Sequence, residues 1–179
     1  MKQLSENILD ITMNSVRAGS ALTEITITEE PPMLTFQIKD NGCGMSPEQV
    51  KNVTDPFFTT RKTRKVGLGL PFLKMEAELT GGSFSIQSEL GVGTTVSASF
   101  NMAHIDALPL GNMPETVMTI VGAAPNQDLL YVHKKADMEV TLDTRELRAQ
   151  LEGVPLDTPD VLLWIKAYLE ECYTETFGN

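Results

Sequence analysis

Read at 100° per residue, residues 4–18 collect Leu4, Ile8, Leu9, Ile11, Met13 and Val16 on one broad side. Asn7, Asp10, Asn14 and Arg17 fall on the other, which predicts an amphipathic helix with a polar stripe. The period then drops to two: Ile25 and Ile27 alternate with polar residues over 23–29, Pro31 and Pro32 make a turn, and Leu34, Phe36 and Ile38 repeat the alternation. A hairpin ending at Asp40 is expected. Ser46, Pro47 and Gln49 supply an N-cap, a proline at the first helical position and a capping-box partner for a short helix to about Val53.

Periodicity is lost over residues 54–69, which hold DPFFTT, the cluster RKTRK and GLGL; an irregular stretch of this length is expected to act as a lid. Helical spacing resumes over 70–79 and stops at Thr80, Gly81 and Gly82, and strands are expected over 83–88 and 94–100 around the turn LGVG. Antiparallel pairs separated by helices predict an α/β fold, a two-layer sandwich with a mixed sheet and helices on one face. Residues 105–114 read as a linker. Beyond it a helix is expected near 115–121, strands near 129–134 and 138–142, a helix near 144–151, and a last helix capped by Thr158 and Pro159 and running to about Thr174. The chain thus divides into an α/β domain, residues 1–103, and a small α+β carboxy-terminal annex, residues 104–179.

Composition narrows the function. With 179 residues, 41% hydrophobic and 21% charged, the chain reads as soluble and globular, and no run approaches the roughly 20 apolar residues of a membrane span. The first residues mix charge and amides where a secretory signal needs an unbroken apolar stretch, so a cytoplasmic location is expected. The net charge of −10 argues against nucleic acid and anionic membrane as partners. Its distribution is uneven: residues 1–100 carry 9 basic and 11 acidic side chains, residues 101–179 carry 5 and 13. Cys43 and Cys172 lack metal-ligand spacing and read as reduced thiols, Cys43 as a small filler.

Three glycine clusters follow the asparagine-bearing helix: Gly42 and Gly44, then Gly67 and Gly69, then Gly91 and Gly93 before Thr94. Taken singly, each is a turn signal. In this order the chain resembles the ATP-binding superfamily of gyrase, the heat-shock chaperone of that type, histidine kinases and MutL (GHKL), whose ATP-binding fold is of the Bergerat type. NSVRAG (residues 14–19) resembles the N box, DNGCGM (40–45) the first glycine box, DPFF (55–58) the F box, VGLGLPFLK (66–74) the second glycine box, and GVGTT (91–95) the final glycine-threonine motif. The F box and GLGLPF are features of the histidine-kinase branch.

The resemblance implies a magnesium- and ATP-binding site. Asp40 corresponds to the carboxylate that accepts from the adenine amino group, Gly42, Gly44 and Met45 to the segment giving room for base and ribose, and Thr94 to a residue at the adenine edge. Asn14 corresponds to the magnesium ligand, a hard cation needing only one such protein oxygen beside the phosphates, and Arg17 to a basic residue at the phosphates. In the lid, Thr60, Lys62 and Lys65, among the cations Arg61, Lys62, Arg64 and Lys65, would capture the triphosphate, and Gly67, Leu68, Gly69 and Leu70 would present the next helix's amino terminus to it. Asp10 stands where ATP-hydrolysing branches carry a glutamate base; as aspartate it would activate water, act through a second water or steady Asn14.

The resemblance begins almost at Met1, so the phosphoaccepting helix pair of sensor kinases is not expected. Neither His104 nor His133 is followed by the acidic residue of an acceptor motif; His133 reads as a half-exposed structural histidine on a strand. Two functions are expected to compete: ATP hydrolysis or phosphotransfer to a separate protein, and a nucleotide-responsive binding module with little turnover. A dimeric conformational ATPase fits less well. ATP or ADP and a protein acceptor in trans are the expected partners, and the last helix is expected to pack within the chain, with a homodimer through it as the alternative.

Overall fold

A computed structural model describes residues 2–55, 57 and 69–178. The polar-striped helix forms as α1, Leu4–Arg17. Gln3 provides no side-chain cap for it. Instead the Leu4 and Ser5 amides donate to the carbonyls of Pro109 and Leu110, at 2.9 and 2.8 Å, so the expected linker supplies acceptors that a helix start needs. The hairpin is β1, Leu22–Glu30, and β2, Met33–Asp40. α2, Pro47–Val53, carries both bonds of the capping box: the Gln49 amide donates to Ser46 Oγ at 3.2 Å and the Ser46 amide to Gln49 Oε1 at 2.8 Å. α3, Gly69–Leu79, ends where Gly81 takes the left-handed conformation and the Gly82 amide returns to the Ala77 carbonyl.

β3, Phe84–Glu89, and β4, Gly93–Asn101, follow, then α4, Met113–Ala123, β5, Asp128–Lys135, β6, Met138–Asp143, α5, Thr144–Leu151, and α6, Pro159–Phe177. All six strands among the described residues join one sheet in the order β3-β4-β2-β1-β5-β6. Every neighbouring pair is antiparallel except β1 with β5, which is parallel and requires the crossover that α4 provides. One face buries Ile25, Ile27, Phe36, Ile38, Val96, Ala98 and Tyr131, and the other carries residues such as Thr26, Thr28, Gln37 and Lys39 at greater exposure, the one-sided mixed sheet that the alternation predicts. Among the described residues no helix is long and apolar enough to cross a membrane.

Three details differ from the sequence reading. Asn7, assigned by periodicity to the polar side, is buried, as are Thr12 and Ser15. Their polar atoms are bonded inside: Asn7 Nδ2 donates to Glu76 Oε2 at 2.8 Å, Thr12 Oγ1 to the Ile8 carbonyl, and Ser15 Oγ to Asp40. Thr158 does not cap α6 through its side chain; its hydroxyl donates to the Pro155 carbonyl. His133 is buried rather than half-exposed, because α6 closes over the inner face of β5.

Candidate functional site

The carboxyl end of α1, the end of β2 and the start of β4 meet around a cavity of about 280 Å³. Asn41 fixes the junction: its Oδ1 accepts from Ser20 Oγ and from the amides of Ala21 and Leu22, at 2.8 to 3.0 Å, tying the α1–β1 turn to the end of β2. Beside it, Asp40 pairs in register with Thr94 across β2 and β4. The Gly42 amide at 2.9 Å and the Thr94 amide at 3.3 Å donate to Asp40 Oδ1, and the Ser15 hydroxyl donates to Oδ2 at 2.6 Å. A carboxylate held by three donors keeps one orientation, and each oxygen can accept two bonds, so Oδ2 retains acceptor capacity.

Glycine is required at two points of this wall. Gly44 has φ +70°, and a Cβ there would lie 2.0 Å from the Glu89 carbonyl oxygen; Gly93 has φ +145°, and a Cβ would lie 2.0 Å from the Asp40 carbonyl oxygen. The first glycine box therefore packs directly on the β3–β4 turn, with the Gly91 amide donating to the Cys43 carbonyl at 2.8 Å.

Of the residues singled out by sequence, Asn14, Arg17, Asp40, Gly44, Met45, Leu70 and Thr94 line the cavity together. Gly42 lies against Asp40 and Ala18, and Gly69 opens α3 next to Leu70. Asn14 Oδ1 accepts from the Arg17 guanidinium at 2.7 Å, one turn of helix apart. Asp10 is exposed on α1 and is not among the lining residues; partial burial pushes its carboxyl up, opposed by Arg17 and reinforced by Glu6. Thr60, Lys62, Lys65, Gly67 and Leu68, with most of the expected lid, lie outside the described residues.

Sequence reasoning missed Ser15 and Ser88. Ser88 Oγ accepts from the Met45 amide at 2.8 Å and is 2.7 Å from Thr94 Oγ1, so it joins the first glycine box to β4. Ser15 was legible in principle, because it neighbours Asn14 and falls on the same helix face as Ile8 and Ile11; Ser88 carried no signal, since only the sheet register brings it to Met45. The apolar walls, Ile11, Ile38, Val53, Ile86 and Val96, come from five different elements. A largely apolar cavity with one fixed carboxylate, an amide and a guanidinium among its lining suits a planar heterocycle bearing an exocyclic donor, with anionic groups toward Arg17.

Comparison with known proteins agrees with this arrangement. Residues 1–104 match the family described as Histidine kinase-, DNA gyrase B-, and HSP90-like ATPase. Sensor protein SrrB of Staphylococcus aureus (strain NCTC 8325 / PS 47) is 37% identical over 100 residues, 53% of this chain and 17% of that protein, so the chain spans less than a fifth of such relatives. A crystal structure of the N-terminal domain of a DNA repair protein superposes with a TM-score of 0.55 at 13% identity, covering 80% of this chain and 53% of that one; this likeness concerns the fold alone. On the family match, which takes in more than half of its residues, the chain belongs to the histidine kinase-, DNA gyrase B- and HSP90-like ATPases.

Proposed function

We propose that the chain binds magnesium ATP in the cavity beside Asp40 and acts as a kinase-like ATPase, passing the γ-phosphate to water or to a separate protein in the cytoplasm. The observation that carries this reading is the Asp40 carboxylate, held by Gly42, Thr94 and Ser15 with acceptor capacity left on a wall of the cavity. An adenine amino group can donate to it; guanine offers a carbonyl at that edge and two acceptors would face each other. Asn14 Oδ1, which already has a cationic partner in Arg17, suits one magnesium coordination position, with the rest left to phosphates and water. Magnesium bound there would offset phosphate charge, and Arg17, exchanged off Asn14, would be free to pair with a phosphate oxygen.

A second reading, a nucleotide-responsive binding module with little turnover, is favoured by one observation: Asp10, the candidate base, is absent from the cavity lining. The acidic residues 104–179 would then engage a protein partner, or a second copy through Leu163 and Trp164, which α6 leaves exposed.

The test is thermal unfolding with magnesium and ATP, ADP or GTP, on the protein and on Asp40→Asn. A ligand that binds only the folded state raises its apparent stability, by roughly 2.7 kcal/mol at 100 times Kd. Adenine nucleotides are expected to raise Tm, GTP not to, and the variant to lose the response; no response from any adenine nucleotide overturns the proposal. Magnesium-dependent release of γ-phosphate, compared between the protein and Asp10→Asn, separates the two readings.

A further inference from the structure

A second cavity, of about 480 Å³, lies at the opposite end of β1, between the last residues of β1 and β5, the first turn of α4 and the last turns of α6. Its floor is a chain of buried polar groups. His133 Nε2 is 2.7 Å from Glu29 Oε1, His133 Nδ1 is 2.7 Å from Tyr173 Oη, and the Tyr173 and Tyr131 hydroxyls are bonded to each other. A carboxylate only accepts, so Nε2 carries the hydrogen, Nδ1 accepts from Tyr173, and Tyr173 accepts from Tyr131; every donor has one acceptor. The order carboxylate, imidazole, hydroxyl is that of a relay that activates a nucleophile, but burial pushes the Tyr173 phenol far up, so its hydrogen stays in place and the chain serves to fix Glu29.

What the chain leaves unused faces the cavity. Among the described residues Glu29 Oε2 has no hydrogen-bond partner. The Glu170 carboxylate has, among the described residues, only Lys166, 4.0 Å away. Lys135 is the register partner of Glu29 across β1 and β5, yet the two form no ion pair: the carboxylate is turned to His133, and the ammonium lies 5.9 Å from the centroid of the Phe177 ring. Opposite charges on adjacent strands are thus held apart, beside an aromatic wall of Tyr173 and Phe177 with ring centroids 5.4 Å apart. Met113 and Pro114, in the first turn of α4, line the same space and add the positive end of a helix of 11 residues on its side. The volume falls within the range of about 300–1,000 Å³ found for small-molecule sites, and convergent charges around an apolar wall are their usual make-up.

We propose that this cavity binds a small zwitterion of the α-amino-acid class, its ammonium between Glu29 and Glu170 and its carboxylate at Lys135 and the first turn of α4. The ligand's ammonium meets the second oxygen of Glu29 and the distantly paired Glu170, its carboxylate meets Lys135, and its side chain lies on Tyr173 and Phe177. A ligand with only one of the two charges would leave either Lys135 or the two carboxylates uncompensated.

The test is thermal unfolding of the full chain titrated with L-leucine, L-arginine and L-glutamate, each beside its methyl ester, which lacks the carboxylate, and its N-acetyl derivative, which lacks the ammonium. At least one free amino acid is expected to raise Tm saturably, with both derivatives at least tenfold weaker, and with the response reduced at least tenfold in Lys135→Met and in Glu170→Gln, two substitutions outside the buried chain. No saturable response to any of the three, a methyl ester or N-acetyl derivative as effective as its parent, or a response that persists in both variants overturns the proposal.

Discussion

The two ends of β1 satisfy their polar groups in opposite ways. At the Leu22 end, Asn41 and Asp40 are held largely by backbone amides, from Ala21, Leu22, Gly42 and Thr94. At the Glu29 end, the chain through His133, Tyr173 and Tyr131 is made of side chains alone and spans two strands and α6. Backbone donors are rigid and keep no titrating proton of their own, whereas the side-chain network holds an imidazole, which gains a proton in acid. The first end should therefore fail through changes of backbone shape, the second through loss of one partner or through acid.

The largest effect is expected where shape is broken. Gly93→Val combines a φ of +145° with a Cβ directed at the Asp40 carbonyl oxygen, 2.0 Å away. Strain and overpacking together should cost roughly 2–6 kcal/mol and abolish stabilisation by magnesium ADP, measured by urea unfolding with and without nucleotide. At the other end, Glu29→Ala removes the acceptor of a buried His133 Nε2–H; about 1–3 kcal/mol should be lost, with the ADP-dependent shift in Tm unchanged. If that shift disappears as well, the two ends are not independent.

Ser15→Ala sharpens the contrast within the nucleotide end. It takes one donor from Asp40 while the two amides remain, so stability should fall by only about 1 kcal/mol. Calorimetry should still detect ADP, at an affinity reduced by a few-fold. A fall as large as that of Gly93→Val would show that the hydroxyl, not the backbone, orients the carboxylate.

The smallest effect is the pH response. Burial holds His133 below the usual histidine range, opposed by Glu29 and reinforced by Lys135. The folded state therefore binds its proton less readily than the unfolded chain, whose histidine titrates near about 6.5. Stability from this group is fully present above that pH and is lost as pH falls through the lower folded value. Glu170 and Tyr173 from α6 face the same space, Tyr131 from β5 is bonded to Tyr173, and the Glu29 carboxylate softens the effect. Melting curves between about pH 7 and 5 should show an acid limb that His133→Gln flattens, while Asn14→Ala at the opposite end leaves it as it is.

Much of this organisation is legible in the sequence, for identifiable reasons. The alternation of Ile25 and Ile27 with Thr and Glu, and of Leu34, Phe36 and Ile38 with polar residues, fixes both strands and their buried face, because only one side of the sheet is covered. Ser46, Pro47 and Gln49 act locally, and the helix they predict starts at Pro47. Pairing between distant strands is another matter. Nothing in LLYVHKK indicates that β5 lies parallel to β1, since that choice depends on the α4 crossover and not on local periodicity. Other non-local contacts bury His133, under α6, and set Ser88 beside Met45, through the pairing of β2 with β4 and of β4 with β3. Asn7 misled the helical reading because a side-chain amide is classed as polar whether it meets water or, as here, the carboxylate of Glu76.

The parallel pairing has a consequence for any shortened form of the protein. β1 is an interior strand, with β2 on one side and β5 on the other. Ending the chain after the motif-bearing residues, at about residue 103, would turn β1 into a sheet edge of nine residues and would leave the Leu4 and Ser5 amides without the Pro109 and Leu110 carbonyls. A long, unprotected edge is a template for another chain. Such a fragment should elute as a mixture of associated species in size-exclusion chromatography, and its self-association would reflect a severed sheet rather than the assembly of the intact molecule.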